Sequence, residues 1–140
     1  MDTYTEDGRK SEVTNATPGI NALNSLFKRA VEAQGIRTNG AIEVDQWIDA
    51  VGGFSVPVHQ VAMFPIGGAW IPDSQPRVKE VGRLMLQNME RLSASMKPVL
   101  RHLGLSSQQV ETLVEGQLQD LRNPSTRAFK RYHTVWAIKE

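Results

Sequence analysis

The chain has 140 residues, of which 40% are hydrophobic, with no cysteine and a formal net charge of +1. This length suits one domain with its own buried core. The absence of cysteine excludes a disulfide framework, a thiolate nucleophile and a cysteine-ligated metal. No apolar run approaches the roughly 20 residues that span a bilayer, and the polar first residues lack the apolar segment of a signal peptide. We therefore expect a soluble protein with no membrane partner.

Charge is distributed unevenly along the chain. Residues 1–76 carry five Lys/Arg and nine Asp/Glu, whereas residues 77–140 carry eleven Lys/Arg and six Asp/Glu. Such asymmetry suits a polyanion bound to one surface, or the acidic end of one subunit set against the basic end of the next. It also fits an ordinary solvated surface.

The first half of the chain predicts an arm, two helices and an irregular region. Residues 1–17 are polar and predict a flexible N-terminal arm. Residues 20–35 and 41–51 each have apolar residues at helical spacing and end at glycine, which predicts two short helices. Residues 54–72 contain three prolines, a Gly-Gly pair and β-branched residues, so we expect irregular or short extended segments there.

The second half predicts more helices. Apolar residues at helical spacing predict the longest helix over residues 77–96, which Pro98 breaks or kinks. A short segment then closes at Gly104, and a helix follows from the next serines to residue 121. After Pro124 we predict a basic helix that bears aromatic residues.

These elements predict an all-α, or nearly all-α, fold with little strand. The domain organisation would be a flexible arm over residues 1–17, a compact helical core over residues 18–123, and a basic aromatic segment over residues 124–140. The whole chain would contain about six helices.

Catalytic chemistry has little support in the sequence. The three histidines lie far apart without metal-ligand spacing: His59, His102 and His133. The stretch "PIGGAW" lacks the lysine and the helix of a phosphate-binding loop, and "GGFS" lacks the glycines that surround a nucleophilic serine. We expect no enzyme activity, no metal site and no cofactor.

Residues 98–118 have one feature of a helix-turn-helix, namely the spacing of Gly104 and Val110. Leu100 stands where that motif needs a small residue, and the second helix would present Glu111 and Glu115 to phosphates. An ordinary helical hairpin explains the same spacing.

The segment "TRAFKRYHTVW" combines cations with aromatic rings. Arg127, Lys130 and Arg131 could neutralise phosphates, while rings at positions 129, 132 and 136 could stack on unpaired bases. The same rings, spaced three and four apart, also suit the buried stripe of a helix. Both interpretations stay open on sequence alone.

Several segments over residues 23–133 resemble, in order, the core of coat proteins from flexible filamentous plant RNA viruses of the potyvirus and flexivirus type. "FKRAVEAQGI" and "VDQWIDAVGGFS" are similar to that family's first helix and turn, and to its second helix ending in glycine and serine. "FPIGGAWIPDSQPR" is similar to the segment that leads into a helix beginning at an arginine. "LGLSSQQVETLVEGQLQDLRNPSTRAFKRYH" resembles the family's glycine-leucine turn, its aspartate-bearing helix and the segment after it.

The resemblance implies a particular RNA pocket. That family holds RNA with a serine, an arginine and an aspartate, which correspond by resemblance to Ser55, Arg77 and Asp120. An arginine can bind a phosphate and a carboxylate together, so Asp120 would hold the Arg77 guanidinium while Ser55 donates a hydrogen bond. A turn serine and a structural salt bridge would explain the same residues.

The function implied by the resemblance is structural. The chain would polymerise into a helical filament around single-stranded RNA without sequence specificity, as a virion coat protein assembled in the host cytoplasm. Arg127, Lys130 and Arg131 would assist RNA binding, and the arm would dock on a neighbouring copy to give an open homo-oligomer. Two alternatives remain: a helix-turn-helix DNA-binding regulator, and a helical interaction or inhibitor module without nucleic acid.

Overall fold

A computed structural model of the chain describes residues 2–3 and 17–140; residue 1 and residues 4–16, which include most of the predicted arm, lie outside the described residues. The described residues form four helices and three strands. The helices are α1 (Pro18–Glu32), α2 (Gly40–Val51), α3 (Pro76–Arg101) and α4 (Ser107–Arg122). The strands are β1 (Asp2–Thr3), β2 (Val58–Ile66) and β3 (Ala128–Trp136).

Helices α1, α3 and α4 form the helical core. Each presents an apolar stripe, and the stripes meet in two groups of buried side chains. Leu92 is partly buried and packs against both groups. The first group is Leu23, Met96, Leu100, Val110, Val114 and Leu118, and the second is Ile20, Ile66, Met89, Leu121 and Ala128. Burial of each large aliphatic side chain contributes about 1.5–3 kcal/mol, so this core supplies most of the hydrophobic stabilisation in the described residues.

The free backbone N–H groups at the N-termini of α1 and α4 find hydrogen-bond acceptors in different ways. Ser106 and Gln109 form a capping box, in which each side chain accepts a hydrogen bond from the backbone N–H of the other. Helix α1 begins at Pro18, and the Asp120 carboxylate on α4 accepts the Ile20 backbone N–H at 3.0 Å. A carboxylate is favourable at a helix N-terminus because the helix dipole is positive there.

Glycines allow α1 to approach α4 closely. A Cβ atom at Gly19 would lie 2.2 Å from the backbone carbonyl of Gly116, which is far inside van der Waals contact. Only glycine fits at position 19 without moving one helix. This contact holds the N-terminus of α1 against α4, next to the Asp120 cap.

Strands β2 and β3 pair antiparallel over their full lengths, from Val58 opposite Trp136 to Ile66 opposite Ala128. Strand β1 pairs with the other edge of β3 through two residues, giving the order β1-β3-β2. We call the β2–β3 pair the ribbon. Its Ile66–Ala128 end is buried in the helical core, whereas the remainder lies outside that core and contacts α2.

The prediction of about six helices with little strand is wrong, because the described residues contain four helices and an antiparallel pair of nine-residue strands. Residues 128–136 form a strand where we predicted a helix. Their aromatic and β-branched side chains have high β propensity. The three-and-four spacing of the rings misled the prediction, since the pairing partner of this segment lies far away in the sequence, at residues 58–66.

The second correction concerns Pro98, which neither ends α3 nor separates it from a further helix. Helix α3 runs through the proline to Arg101. Met96 and Leu100, on either side of it, are buried in the helical core. Because proline removes one backbone hydrogen bond, the packing of these two side chains offsets the loss.

Candidate assembly and RNA-binding surface

The two faces of the ribbon follow from its register. Directly opposed residues of antiparallel strands share a face, and successive residues alternate between faces. The face that we call the open face carries Val58, Gln60, Ala62, Phe64, Lys130, Tyr132, Thr134 and Trp136. The other face, which we call the α2 face, carries His59, Val61, Met63, Arg131, His133 and Val135.

The open face is apolar and exposed to solvent. Tyr132 is 40% exposed and Trp136 is 48% exposed. The Phe64 and Tyr132 rings meet edge to face with centroids 5.2 Å apart, and the Lys130 ammonium lies 5.7 Å from the centre of the Tyr132 ring. This arrangement gives an aromatic surface that carries one positive charge.

Helix α2 covers part of the opposite face through a chain of polar contacts. His59 Nδ1 lies 3.4 Å from the Asp45 carboxylate on α2, and His59 Nε2 lies 2.9 Å from His133 Nδ1 on β3. The backbone N–H of Gln46, followed by the His59 ring, holds the pKa of Asp45 below its usual value of 3.8. An ionised Asp45 therefore links α2 to both strands of the ribbon.

Exposed apolar residues are concentrated around α2 and the ribbon. The described residues include fourteen exposed large hydrophobic side chains, and all but Val78 and Leu84 lie in residues 36–63 and 132–138. No residue of α2 is fully buried. A concentration of this kind is typical of an interaction surface, since single exposed apolar residues are scattered on ordinary monomers.

Charge of opposite sign lies on neighbouring parts of this surface. Residues 40–51, which form α2, carry three acidic residues and no Lys/Arg. Residues 127–139 carry four Lys/Arg and no acidic residue. The uneven charge seen along the sequence therefore becomes an acidic helix beside a basic strand.

The predicted pocket residues Ser55, Arg77 and Asp120 lie in three different settings. Ser55 holds the segment after β3, because its backbone N–H donates to the Ile138 carbonyl at 2.8 Å and its Oγ accepts the Ile138 N–H at 3.0 Å. Asp120 caps α1 through Ile20. Arg77 is exposed in the first turn of α3, and among residues 2–3 and 17–140 the structure gives it no ion pair with Asp120 or any other carboxylate.

The three cations of the C-terminal segment do lie together. Arg127 immediately precedes β3, and Lys130 and Arg131 are its third and fourth residues. Lys130 points to the open face, and Arg131 points to the α2 face. Arg127 and Arg131 are exposed, so the beginning of β3 presents positive charge on both sides of the ribbon.

The segment that resembles a helix-turn-helix belongs to the helical core. Leu100 and Val110 are fully buried there, and Gln109 is held in the capping box of α4. Glu111 forms an ion pair with Lys97 of α3. These contacts support a helical hairpin that packs against α1.

A cleft of about 470 Å³ lies between residues 67–73, the first half of α3 and the end of α4. Trp70, Leu86 and Leu121 supply its apolar wall, and its cations are Lys79, Arg83 and Arg122. Each cation is already paired, with Asp73, Glu80 and Glu90 respectively. Lys79 lowers the pKa of Asp73 and Arg83 lowers the pKa of Glu80 through these hydrogen bonds. The positive charge of the cleft is therefore neutralised locally, which weakens its attraction for a phosphate.

Within the described ranges, no helix is long and apolar enough to cross a membrane. The same residues contain no group of three histidine or acidic side chains placed to hold a metal ion. His59 and His133 contact each other, and His59 also contacts the Asp45 carboxylate.

Sequence reasoning missed the residues that join α2 to the ribbon. The sequence patterns assign no such role to Asp45, His59 or His133, and they predict irregular or short extended segments over residues 54–72. The signal was present in "VHQVAMF", where a strand pattern precedes Pro65. It could be recognised only together with its partner, "KRYHTVW".

Comparison with known proteins found no matching family model, no matching curated protein and no matching solved structure. The function of the chain therefore has to be argued from its own surface.

Proposed function

We propose that the protein is a structural subunit that associates with copies of itself into an open polymer around single-stranded RNA. The observation that carries this proposal is the exposed apolar surface of α2 and the ribbon, which lies apart from the helical core. A monomer gains nothing from keeping aromatic and aliphatic side chains in water, whereas burial between subunits yields about 25 cal/mol per Å² of apolar surface.

The RNA-binding part of the proposal rests on the beginning of β3. Arg127, Lys130 and Arg131 lie within five consecutive residues, and residues 127–139 contain no carboxylate that would repel phosphate. Cations of this kind neutralise the nucleic-acid backbone without reading bases. Sequence-independent binding fits a coat protein, and the resemblance to filamentous virus coat proteins supports the same role and a location in the virion.

The proposal moves the RNA contact away from the predicted pocket. Asp120 is occupied by the N-terminus of α1 and Ser55 by Ile138, so neither is placed to orient Arg77. Arg77 remains an exposed cation outside the proposed contact. Its position at a helix N-terminus is slightly unfavourable.

The first experiment compares two triple variants that remove the same charge. One replaces Arg127, Lys130 and Arg131 by alanine. The other replaces Arg29, Arg91 and Arg101, which are exposed cations of the helical core, by alanine. Binding to a fluorescent poly(U) oligomer is measured over a range of salt concentrations, and filaments are scored by negative-stain electron microscopy with the 260/280 nm absorbance ratio.

We expect the β3 variant to lose most of its RNA affinity, with the salt slope reduced by roughly 2, which corresponds to three lost contacts on a single strand. The core variant should keep nearly the wild-type slope. Equal losses of RNA affinity in the two variants would mean that binding depends on net charge alone and not on the cations of β3. Wild-type protein that stays monomeric and purifies without RNA would contradict the proposed function as a whole.

A further inference from the structure

We propose that neighbouring subunits join when α2 of one copy packs on the open face of the ribbon of the next copy. This inference rests on the proposed function, because it specifies how the polymer forms. The binding partner is a second copy of this chain, and the contact uses one surface of each copy. Three observations support it: the fit of α2 to the open face, complementary charge, and the absence of self-complementarity.

The first observation is that the ribbon already binds one helix of this kind. Val44, Asp45 and Ile48 of α2 are partly buried, and Asp45 contacts the ribbon through His59. The opposite, open face has a similar apolar content, and the helical core meets it only towards the Ile66–Ala128 end, where α3 contacts β2. Its outer residues, at positions 58, 60, 62, 132, 134 and 136, are exposed in the described part of the chain. A twelve-residue helix is about 18 Å long, and the seven ribbon residues 58–64 span about 23 Å. One helix therefore covers most of the length of the open face.

The second side of α2 is suited to such a contact. Ile42, Trp47 and Ala50 are exposed on it, with Ile42 53% and Trp47 41% exposed. Ala50 is small beside these two larger side chains, and the Arg37 guanidinium lies 5.4 Å from the centre of the Trp47 ring. In its own subunit α2 would then contact the α2 face, and in the neighbour it would contact the open face.

The second observation is charge. Asp49 is exposed on α2, and no ion pair is assigned to it in the described part of the chain. Lys130 on the open face contacts the Tyr132 ring and likewise has no carboxylate partner there. Glu43 is already paired with Arg37, and Asp45 contacts the subunit's own ribbon through His59. Asp49 and Lys130 are therefore the opposite charges that this contact would join. Two open faces packed together would instead bring two Lys130 side chains towards each other.

The third point is the symmetry that follows. The two surfaces are different, so each subunit uses one to bind the preceding copy and the other to bind the next. Such a head-to-tail contact can continue indefinitely and gives an open filament unless its rotation closes a ring. Layers of helix and ribbon would alternate. With about 10 Å between packed layers, successive subunits would be separated by roughly 20 Å along the stack.

The test uses charge reversal in RNA-free protein, so that the contribution of Lys130 to RNA binding does not enter. Three variants are compared with wild type by sedimentation velocity at low salt: Asp49→Lys, Lys130→Glu, and both together. Lys28→Glu, on the exposed side of α1, is the control for one added acid. We expect each single reversal at the interface to weaken self-association at least tenfold. The double variant should recover most of it, and the control should behave as wild type.

Cross-linking gives an independent readout, since the chain has no cysteine. A double variant with Asp49→Cys and Thr134→Cys, treated with a short bis-maleimide, should yield a ladder of covalent multimers. Each single-cysteine variant should give little product beyond monomer. A ladder from the double variant alone supports contact between α2 and the open face.

The outcomes separate this inference from the proposed function. If the wild type polymerises but neither reversal matters, or the double variant remains as weak as the singles, the inference is overturned and the function stands. A closed dimer that tolerates Trp47→Ser would point to pairing of two open faces and also overturn it. Protein that stays monomeric with and without poly(U) overturns both.

Discussion

Two single residues show how tightly the helical core is built. Gly19 faces the backbone of Gly116, and a Cβ at position 19 would meet that backbone at 2.2 Å, whereas a Cβ at position 116 would meet Gly19 Cα at an ordinary 3.6 Å. The contact is therefore asymmetric, although both residues are glycines on neighbouring helices.

This asymmetry predicts opposite effects of the same substitution. Gly19→Ala should lower the free energy of unfolding by about 1–3 kcal/mol, because the helices must separate. Gly116→Ala should be neutral or stabilising by up to about 1 kcal/mol, because alanine has the higher helix propensity. Urea denaturation of the two variants checks both signs. Equal destabilisation would contradict the close approach at Gly19.

Asp120 gives a second prediction at this scale. Its carboxylate accepts the Ile20 N–H, so Asp120→Ala should cost about 1 kcal/mol of stability, as the loss of a helix cap does. Asp120→Asn keeps an acceptor and should cost less. Thermal unfolding measures the stability and poly(U) titration measures RNA affinity. A large loss of RNA affinity with unchanged stability would restore the predicted pocket and contradict the capping role.

At the scale of elements, sequence periodicity was sufficient wherever a helix packs against its sequence neighbours. The stripes predicted over residues 20–35, 41–51, 77–96 and 106–121 correspond to α1, α2, α3 and α4. Sequence periodicity failed for β2 and β3. These strands pair with each other although 61 residues, 67–127, lie between them in the sequence. Of the predicted RNA-binding residues, the three near β3 lie together because they are consecutive, while Ser55, Arg77 and Asp120 depend on long-range packing that no local pattern specifies.

The contact between α2 and the ribbon has a predictable pH dependence. The pKa of Asp45 lies below 3.8 in the folded protein, so its contribution to stability is fully present above the unfolded value and is lost as pH falls through the lowered folded value. Asp45→Asn should remove this dependence and loosen α2 at neutral pH. Trp47 is on α2, so we expect its fluorescence to change when α2 loosens. Trp70 and Trp136 contribute a background signal.

The control for this experiment is Asp73→Asn. Asp73 also has a lowered pKa, but its partner is Lys79, away from α2. This variant should leave the Trp47 signal unchanged at neutral pH. If both variants alter it equally, Asp45 has no specific role in holding α2.

At the scale of the whole molecule, stability and assembly reside in different parts. The helical core holds the buried apolar residues, while α2 and most of the ribbon expose theirs. Hydrogen exchange should therefore be slow in α1, α3 and α4 and faster in α2 and the outer ribbon of the monomer. Polymerisation should protect residues 40–51, 58–64 and 130–136 and leave the core nearly unchanged. Protection confined to the helical core would place the subunit contact elsewhere.

The separation of β2 from β3 along the chain also determines when the open face of the ribbon can form during synthesis. During synthesis at 5–20 residues per second, the 61 residues between the two strands take roughly 3–12 s to be made. All of α1, α3 and α4 is translated before β3 begins. Strand β3 is thus synthesised after all three helices of the core, so a nascent chain cannot complete its open face, and cannot use that face to join a filament, before the core helices have been made.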